Sequence, residues 1–570
     1  MEKDIYVLGT GLSHNGSCVI LKNGKVAAGI EKERISRIKH DGGNDNLAIQ
    51  YCLEMLNITL DDIALAVQCE NFVVPQRDRF QGERIFKAYP NIELHSISHH
   101  LAHAYSTIGT CPYERFNILI IDGCGSPYQL CSESLNPKLS ELGLENIPNL
   151  ICEKDSFYHY DKGILTPLFK DFSEVILTEK GPSKSLPTTA HSIGGFYAYM
   201  SNYCFGNMSD AGKLMGLAPY GKPTFTDLDA FLFYNNRVFV KEDWKSLFDS
   251  PASDYAMFKS NFQHYANAAF WAQQQVEKAI LYVVAKRAEL SPALPLCYSG
   301  GVALNAVANA KILKNKLVEN LYIEPAAGDN GLALGCAYYG WLKLLKGQKV
   351  DHDGNTCFGK NYDETSIENL IDQLGPEFEV IRHRDKSAMV NSTALLIQQG
   401  NTIGWFQGGA EFGPRALGKR SILASPFIAE MQREINANIK LREDFRPFAP
   451  SVLKSDVLTY FDYGFESPYM LLVDQVRPEW RKKLKAISHV DYSARVQTVA
   501  EDWNPLFHQL LKAIKQATGH GIVLNTSFNI KGQPIVETPN DAMQVFRATA
   551  LDVLVIGHFI IRKKATIKAP

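Results

Sequence analysis

A chain of 570 residues is too long for one hydrophobic core, and a formal net charge of −2 gives no support to a nucleic-acid-binding surface. Hydrophobic residues at 45% and charged residues at 21% are the balance of a soluble globular protein, with no apolar run of membrane-spanning length and no signal-peptide core at the N-terminus. The 11 cysteines are scattered without a CxxC pair, which argues against a disulfide framework or a cysteine-rich zinc site and predicts reduced thiols in a cytoplasmic protein.

In chain order, "DIYVLGTGLSHNGSCVILKNGKVAAGIEKER" reads as strand, turn, strand, with Asn23-Gly24 as a hairpin signal. "NLAIQYCLEMLN" has helical periodicity. "SISHHLAHAYS" follows, and then "FNILIIDGCGS", a buried strand running into a glycine turn. The helix-like "FWAQQQVEKAILYVVAKRAEL" leads into "LPLCYSGGVALNAVANAKIL" and "NLYIEPAAGDNGLALGCAYYGWLKLL", each strand, turn, helix. Alternation of this kind predicts an α/β fold. Around residues 343–365 the chain turns polar and turn-rich, which predicts a linker, and a second α/β-like pattern follows. In it, Thr538-Pro539 has the form of a helix N-cap followed by proline at the first helical position.

His99 and His103 are four apart and share a face of any helix, while His100 points elsewhere and reads as structural. An isolated HxxxH is ordinarily a polar helix face. Here Asp122 ends a strand-like run and Asp329 follows another, and strand ends above glycine turns are where an α/β protein places ligands. Two imidazoles and two carboxylates would suit Fe(II), Mn(II) or Zn(II), and spacing does not choose among them. The turns at 9–17, "DGCGS" at 122–126 and "SGGVALN" at 299–305 let backbone N–H groups approach an anion. Each is weak alone; in this order they resemble the nucleotide cleft of the actin, hexokinase and Hsp70 superfold. Between 415 and 446 lie Arg415, Lys419, Arg420, Arg433, Lys440, Arg442 and Arg446. Arg415 in "EFGPRALG" and Arg446 in "FRPFAP" are wedged among glycine, proline and aromatic residues, which favours bidentate binding of a phosphate or carboxylate over free solvation. Arg495 and Asn525 would add a further cationic fork and an amide.

With "HHLAHAYS", "DAGKLMGLAPYG", "SGGVALN", "EFGPRALGKRSILASP" and "REDFRPFAPSV" assembled, the whole chain resembles the O-carbamoyltransferase family of natural-product and nodulation-factor biosynthesis. The resemblance implies an N-terminal actin-like (ASKHA superfold, two subdomains) transferase domain over 1–350 and a linker at 351–368. A C-terminal α/β carbamoyl-adenylate-forming domain would follow at 369–570, similar to the tRNA threonylcarbamoyl-adenylate synthase fold. The C-terminal domain would make carbamoyl-adenylate from carbamoyl phosphate and ATP, with Mg2+, using Arg415, Arg446, Arg495 and Asn525. The N-terminal domain would hold a divalent metal, Fe(II) by resemblance, on His99, His103, Asp122 and Asp329. It would bind carbamoyl-adenylate at Asp122, Gly123, Gly125, Lys213, Gly300, Gly301, Asn305 and Asp329, and use His14 as general base toward a small-molecule hydroxyl acceptor. Lys213 could instead brace its loop. A homodimer is a further expectation, with no nucleic acid and no membrane as partner. The rivals are an actin-fold kinase or ATPase, which leaves the HxxxH pair and the arginines unexplained, and a tRNA-threonylcarbamoylation protein, which would call for a basic face.

Overall fold

The computed structural model describes residues 4–13, 15–70, 84–89, 91–131, 137–145, 150–175 and 191–564. The chain forms two compact units, Met1–Lys32 with His40–His352, and Glu33–Lys39 with Asp353–Pro570. The division at 352/353 falls in the polar stretch expected as a linker, but a helix, Glu364–Ile371, already begins within that stretch and belongs to the second unit. Nothing in the sequence pattern marks Glu33–Lys39 as part of it.

The first unit is built on two five-stranded sheets. One comprises β1 (Tyr6–Leu12), β2 (Ser17–Lys22), β3 (Lys25–Glu31), β4 (Ile63–Glu70) and β5 (Leu94–Ile97), in the order β3-β2-β1-β4-β5. The other comprises β6 (Arg115–Ile121), β7 (Leu150–Asp161), β8 (Ile164–Val175), β11 (Leu296–Ser299) and β12 (Leu321–Ile323). Its order, β12-β11-β6-β7-β8, repeats the first read from the other edge. In both sheets the first three strands are antiparallel and the last two join in parallel. A repeated sheet of this order is the actin-like arrangement with two subdomains. The Asn23-Gly24 turn has φ of 52° and 81°, the left-handed pair that a two-residue hairpin between twisted strands requires. A separate hairpin, β9 (Phe231–Tyr234) and β10 (Arg237–Val240), and the helix Phe262–Ala288 frame an aromatic cluster of Phe196, Trp244, Phe248 and Trp271.

Parallel strands leave their carboxyl ends on one side, so the turns after β6, β11 and β12 gather there. β1 can lie flat under the helix Leu332–Tyr339 because its glycines carry no side chain. A Cβ on Gly9 would stand 2.0 Å from the Ala333 carbonyl oxygen.

The second unit is one nine-stranded mixed sheet. Its strands are β13 (Phe378–Arg382), β14 (Ile403–Phe406), β15 (Arg420–Ala424), β16 (Ala449–Leu453), β17 (Leu472–Gln475), β18 (Ser493–Val499), β19 (Ile522–Ser527), β20 (Val553–Ile556) and β21 (Phe559–Lys563). The order is β13-β21-β20-β14-β15-β19-β16-β18-β17. The helices Lys386–Gln398 and Pro505–Thr518 cover one face, over a core of Val390, Trp405, Leu423, Leu453, Val499, Leu510 and Val523. Side chains alternate along a strand, so Asn525 lies on the face of Val523, Ser451 on that of Leu453, and Arg495 and Gln497 on that of Val499. The registers Ala449↔Asn525 and Ser451↔Gln497 agree. One end of this face is therefore apolar and the other polar. The helix Pro539–Ala548 packs against the opposite face and begins as the sequence predicts: Thr538 accepts from the Asp541 N–H, and Pro539 opens the helix.

Candidate functional site

The helix His99–Thr110 is buried along its whole length, and His99 and His103 lie on one face, as the spacing predicts. His99 Nε2 is 2.6 Å from Asp122 Oδ2 and 3.2 Å from His103 Nε2. It is 3.6 Å from Asp329 Oδ1, and His103 Nε2 is 3.5 Å from Asp122 Oδ2. One donor atom from each of the four residues falls within 4.8 Å of the others. Asp122 is aimed by its other oxygen, which accepts from Gly123 N at 2.7 Å and Gly301 N at 3.1 Å. His103 Nδ1 meets Ser299 Oγ at 3.2 Å, a partner that fixes the ring with Nε2 facing the cluster. Burial opposes a charge on His99, but the carboxylates of Asp329 and Asp122 outweigh it and raise its pKa to about 9. Asp122 is held well below the usual carboxylate range; burial works against it, and His103 and His99 prevail. Two carboxylates and two imidazoles buried together form a donor set that a divalent cation fits.

His100 has a different task. Its Nδ1 bonds Ser156 Oγ at 2.7 Å, and burial lowers its pKa to about 3. Beneath it, Glu153 pairs with Lys170 at 2.6 Å and accepts from Ser126 N at 3.1 Å. Ser126 Oγ in turn accepts from His99 N at 2.9 Å, so a buried ion pair braces both the DGxGS turn and the start of the histidine helix.

The glycines of the two turns serve close packing and open approach. Gly300 has φ of 90°, and a Cβ there would stand 2.3 Å from the Ile121 carbonyl oxygen. A Cβ on Gly125 would stand 2.8 Å from the His100 ring, whereas one on Gly123 would meet nothing within 4 Å. Asn305 caps the helix Ala306–Lys314 through Ala308 N and exchanges hydrogen bonds with Gln273 at 3.0 and 3.1 Å. Lys213 pairs with Asp210 at 2.7 Å, one helical turn away, the geometry of a loop brace. His14 lies outside the described residues; it falls between the end of β1 and the start of β2.

In the second unit, Arg415, Arg442, Arg446 and Arg495 come together. Burial lowers the pKa of Arg415 to about 10, assisted by Arg446. Arg495 is pushed well down by burial and then by Arg415, Arg442 and Arg446. Arg415, Arg442 and Arg495 are lowered first by burial and then by neighbouring guanidiniums, Arg446 among them in each case, and an anion would relieve that field. Arg415 Nε and Arg495 Nε are buried without a hydrogen-bond partner among the described residues, and so is Asn525 Oδ1. Arg446 is 3.8 Å from Glu443, which also takes Lys531 at 2.9 Å.

The loop carrying Arg415 is closed around an internal carboxylate. Glu411 Oε1 accepts from Leu417 N at 2.7 Å, Lys419 N at 2.8 Å and Arg420 N at 3.3 Å. Arg420, grouped with the others by sequence, is instead a core brace. It donates to Gln407 and Gly408 carbonyls, and its guanidinium lies 3.6 Å from the Phe406 ring centroid. Lys440 is buried beside the cluster. Its Nζ donates to Ser527 O at 2.6 Å and Asn529 O at 2.8 Å, and burial together with Arg442 and Arg446 lowers its pKa well below the lysine range. In the sequence Lys440 and Arg442 stand out only as part of a basic run, and nothing singles out Glu411 or Gln497.

Two family models match the chain. The model described as "Carbamoyltransferase N-terminus" matches residues 64–338, and "Carbamoyltransferase C-terminus" matches residues 394–563. Nodulation protein NolNO of Sinorhizobium fredii is 32% identical over 97% of this chain and 79% of its own. The uncharacterized protein sll1178 of Synechocystis is 30% identical over 97% of this chain and 95% of its own. The 3'-hydroxymethylcephem-O-carbamoyltransferase of Streptomyces clavuligerus is 30% identical over 63% of this chain and 66% of its own. With both family models matched in order and relatives aligned along nearly its whole length, the chain belongs to the carbamoyltransferase family and is a carbamoyltransferase.

Proposed function

We propose that the second unit makes carbamoyl-adenylate and the first unit passes its carbamoyl group to a hydroxyl of a small natural product. The observation that carries this reading is the cluster of Arg415, Arg442, Arg446 and Arg495 around Asn525, a site for a small multiply charged phosphate. Carbamoyl phosphate, ATP and one water would give carbamoyl-adenylate, pyrophosphate and orthophosphate. The guanidiniums neutralise charge on the phosphates and hold the reacting groups in line, which is most of what phosphoryl and nucleotidyl transfer asks of a protein.

In the first unit, the adenylate would lie against the turns at Asp122–Gly125 and Gly300–Gly301, with Asn305 at the neighbouring helix cap and Lys213 bracing its loop. The open side of Gly123 leaves room for that approach. His99, His103, Asp122 and Asp329 would hold a divalent cation, Fe(II) by family resemblance, which when bound supplies Lewis acidity toward a phosphate or carbonyl oxygen. His14 would take the proton of the acceptor hydroxyl, which is a poor nucleophile at neutral pH. Two relatives support a small-molecule acceptor: one is named for a hydroxymethylcephem and another for nodulation. Localisation in the cytoplasm, no nucleic acid or membrane partner and a homodimer complete the proposal. Among the described residues no helix is long and apolar enough to cross a membrane.

The test is to incubate the purified chain with ATP and carbamoyl phosphate and follow pyrophosphate. Release that depends on carbamoyl phosphate, with carbamoyl-adenylate identified by mass, supports the reading. Pyrophosphate released equally without carbamoyl phosphate, or none at all, overturns it.

A further inference from the structure

Three buried side chains on adjacent strands form a relay that fixes the direction of one amide. Gln497 Nε2 donates to the Leu417 carbonyl at 3.0 Å, and a carbonyl can only accept, so Gln497 Oε1 must face the other way. That oxygen accepts from Ser451 Oγ at 2.6 Å and from Asn525 Nδ2 at 3.2 Å. Asn525 Nδ2 also donates to Ser451 Oγ at 2.9 Å and to the Ala416 carbonyl at 3.3 Å. Turning the Asn525 amide over would set its oxygen against Gln497 Oε1 and the Ala416 carbonyl, three acceptors together without a donor among them. The amide is therefore locked. Gln497 and Asn525 are each 1% exposed, and Ser451 is fully buried.

The consequence lies at the other end of the amide. Asn525 Oδ1 is buried and has no hydrogen-bond partner among the described residues. It is a fixed acceptor that none of the neighbouring guanidiniums reaches within hydrogen-bond distance. A buried acceptor without a donor is costly, so the site is built for a ligand that brings one. The ionised phosphate oxygens of a phosphate ester or anhydride bring only acceptors. The N–H of a carbamoyl group is the donor that fits.

We propose that Gln497 is a specificity-determining positioning residue: by locking the Asn525 amide with Oδ1 toward the ligand, it makes the site select a phosphate compound bearing an –NH2 group over its methyl counterpart. This rests on the reading of the arginine cluster as the carbamoyl phosphate site. It goes beyond that reading by assigning the discrimination to a residue that does not touch the ligand.

The experiment uses the full chain and two stable phosphonates of equal shape, phosphonoacetamide and acetonylphosphonate, which differ only in NH2 against CH3. Inorganic phosphate serves as the reference. Wild type should bind phosphonoacetamide about 10- to 100-fold more tightly than acetonylphosphonate, the range set by leaving one buried acceptor unpaired. Gln497→Met should bring that ratio close to one, while affinity for inorganic phosphate moves by less than about 3-fold, since the guanidiniums are untouched. Ser451→Ala removes a hydroxyl that bonds both amides and should lower the ratio in part, which covers the case in which Gln497→Met fails to fold. Equal binding of the two phosphonates by wild type that still binds phosphate overturns the selectivity and leaves the anion site standing. A ratio unchanged in a folded Gln497→Met or Ser451→Ala protein overturns the positioning role. Absence of phosphate binding by wild type overturns both this inference and the reading beneath it.

Discussion

Gly335 lies against Ala102 so closely that a β-carbon on Gly335 would stand 1.7 Å from the Ala102 carbonyl oxygen. Ala102 sits between His99 and His103 on the same helix. Gly109, further along, is pressed in the same way by the ring of Tyr338, which would lie 2.1 Å from an added Cβ. The separation of these two helices, and hence the depth at which the imidazoles meet Asp122 and Asp329, is set by two missing side chains.

Gly335→Ala should therefore damage the four-donor site without touching any donor. Overpacking of this kind costs about 1–3 kcal/mol, and with a backbone oxygen in the way the upper end applies. Urea unfolding and elemental analysis after metal loading are the measurements. Normal stability together with normal metal content would show that the helices can shift apart freely.

The Glu153–Lys170 pair predicts a stability effect. Both side chains are fully buried, so Lys170→Met leaves an unpaired carboxylate and should cost about 3–5 kcal/mol. A urea midpoint equal to wild type would show that the carboxylate finds another partner.

The pH dependence has a definite sign. Glu153 is held at about 2; burial works against it, and Lys170 is the largest favourable influence. Its folded pKa is depressed, so its contribution is present above the unfolded carboxylate value near ~4.3 and is lost as pH falls through about 2. His191 is lowered to about 4 by burial, so the folded state keeps it neutral where the unfolded chain would charge it. Stability should fall with pH between ~6.5 and about 4, and His191→Gln should flatten that part of the curve by roughly 3 kcal/mol across its span. Chemical denaturation at a series of pH values reads the slope directly; an unchanged slope in the variant would place the titrating group elsewhere.

Much of the geometry of this molecule is legible in the sequence because it rests on strong local signals. His99 and His103 need only helical spacing, and Asp122 and Asp329 need only to follow apolar runs. Asn23-Gly24 and Thr538-Pro539 specify their own backbone. Gln497, Ser451 and Glu411 are silent because their roles depend on partners across strands or on backbone amides of a folded loop. No local pattern distinguishes the Gln497 of "SARVQTV" from an outward-facing glutamine until its face of the sheet is known. Arg420 misleads for the opposite reason: it belongs to a basic run by composition, yet its partners are the Gln407 and Gly408 carbonyls and the Phe406 ring.

The two half-reactions should separate genetically. Arg415→Ala removes one phosphate clamp and should abolish carbamoyl-dependent pyrophosphate release, while transfer from carbamoyl-adenylate supplied in solution continues. Pyrophosphate release at the wild-type rate would sink the assignment of this site.

Removal of the cation should have the reverse effect. His99→Ala or Asp329→Ala should lower bound metal at least tenfold and stop carbamoyl transfer while leaving adenylate formation intact. Elemental analysis and the two half-assays report these separately. Full transfer activity after exhaustive chelation would remove the metal from the scheme.

His14→Asn should slow transfer by about 10²–10⁴-fold, the usual contribution of a general base, with adenylate formation and metal content nearly unchanged. Transfer at the wild-type rate across neutral pH would mean that the proton leaves by another route.

The assignment of Glu33–Lys39 to the second unit has a practical corollary for anyone wishing to split the gene. Arg34 donates to the Gly413 carbonyl at 2.6 Å, and Arg37 donates to the carbonyls of Ile535 and Pro534 at 2.7 and 3.0 Å. A fragment starting at Asp353 would lose all three bonds, including the one at Gly413, two residues from Arg415. Because residues 33–39 belong to the second unit while the chain on both sides of them belongs to the first, no single cut yields both units whole. Complementation by two polypeptides should require the 33–39 peptide to travel with the C-terminal piece, grafted or supplied in trans.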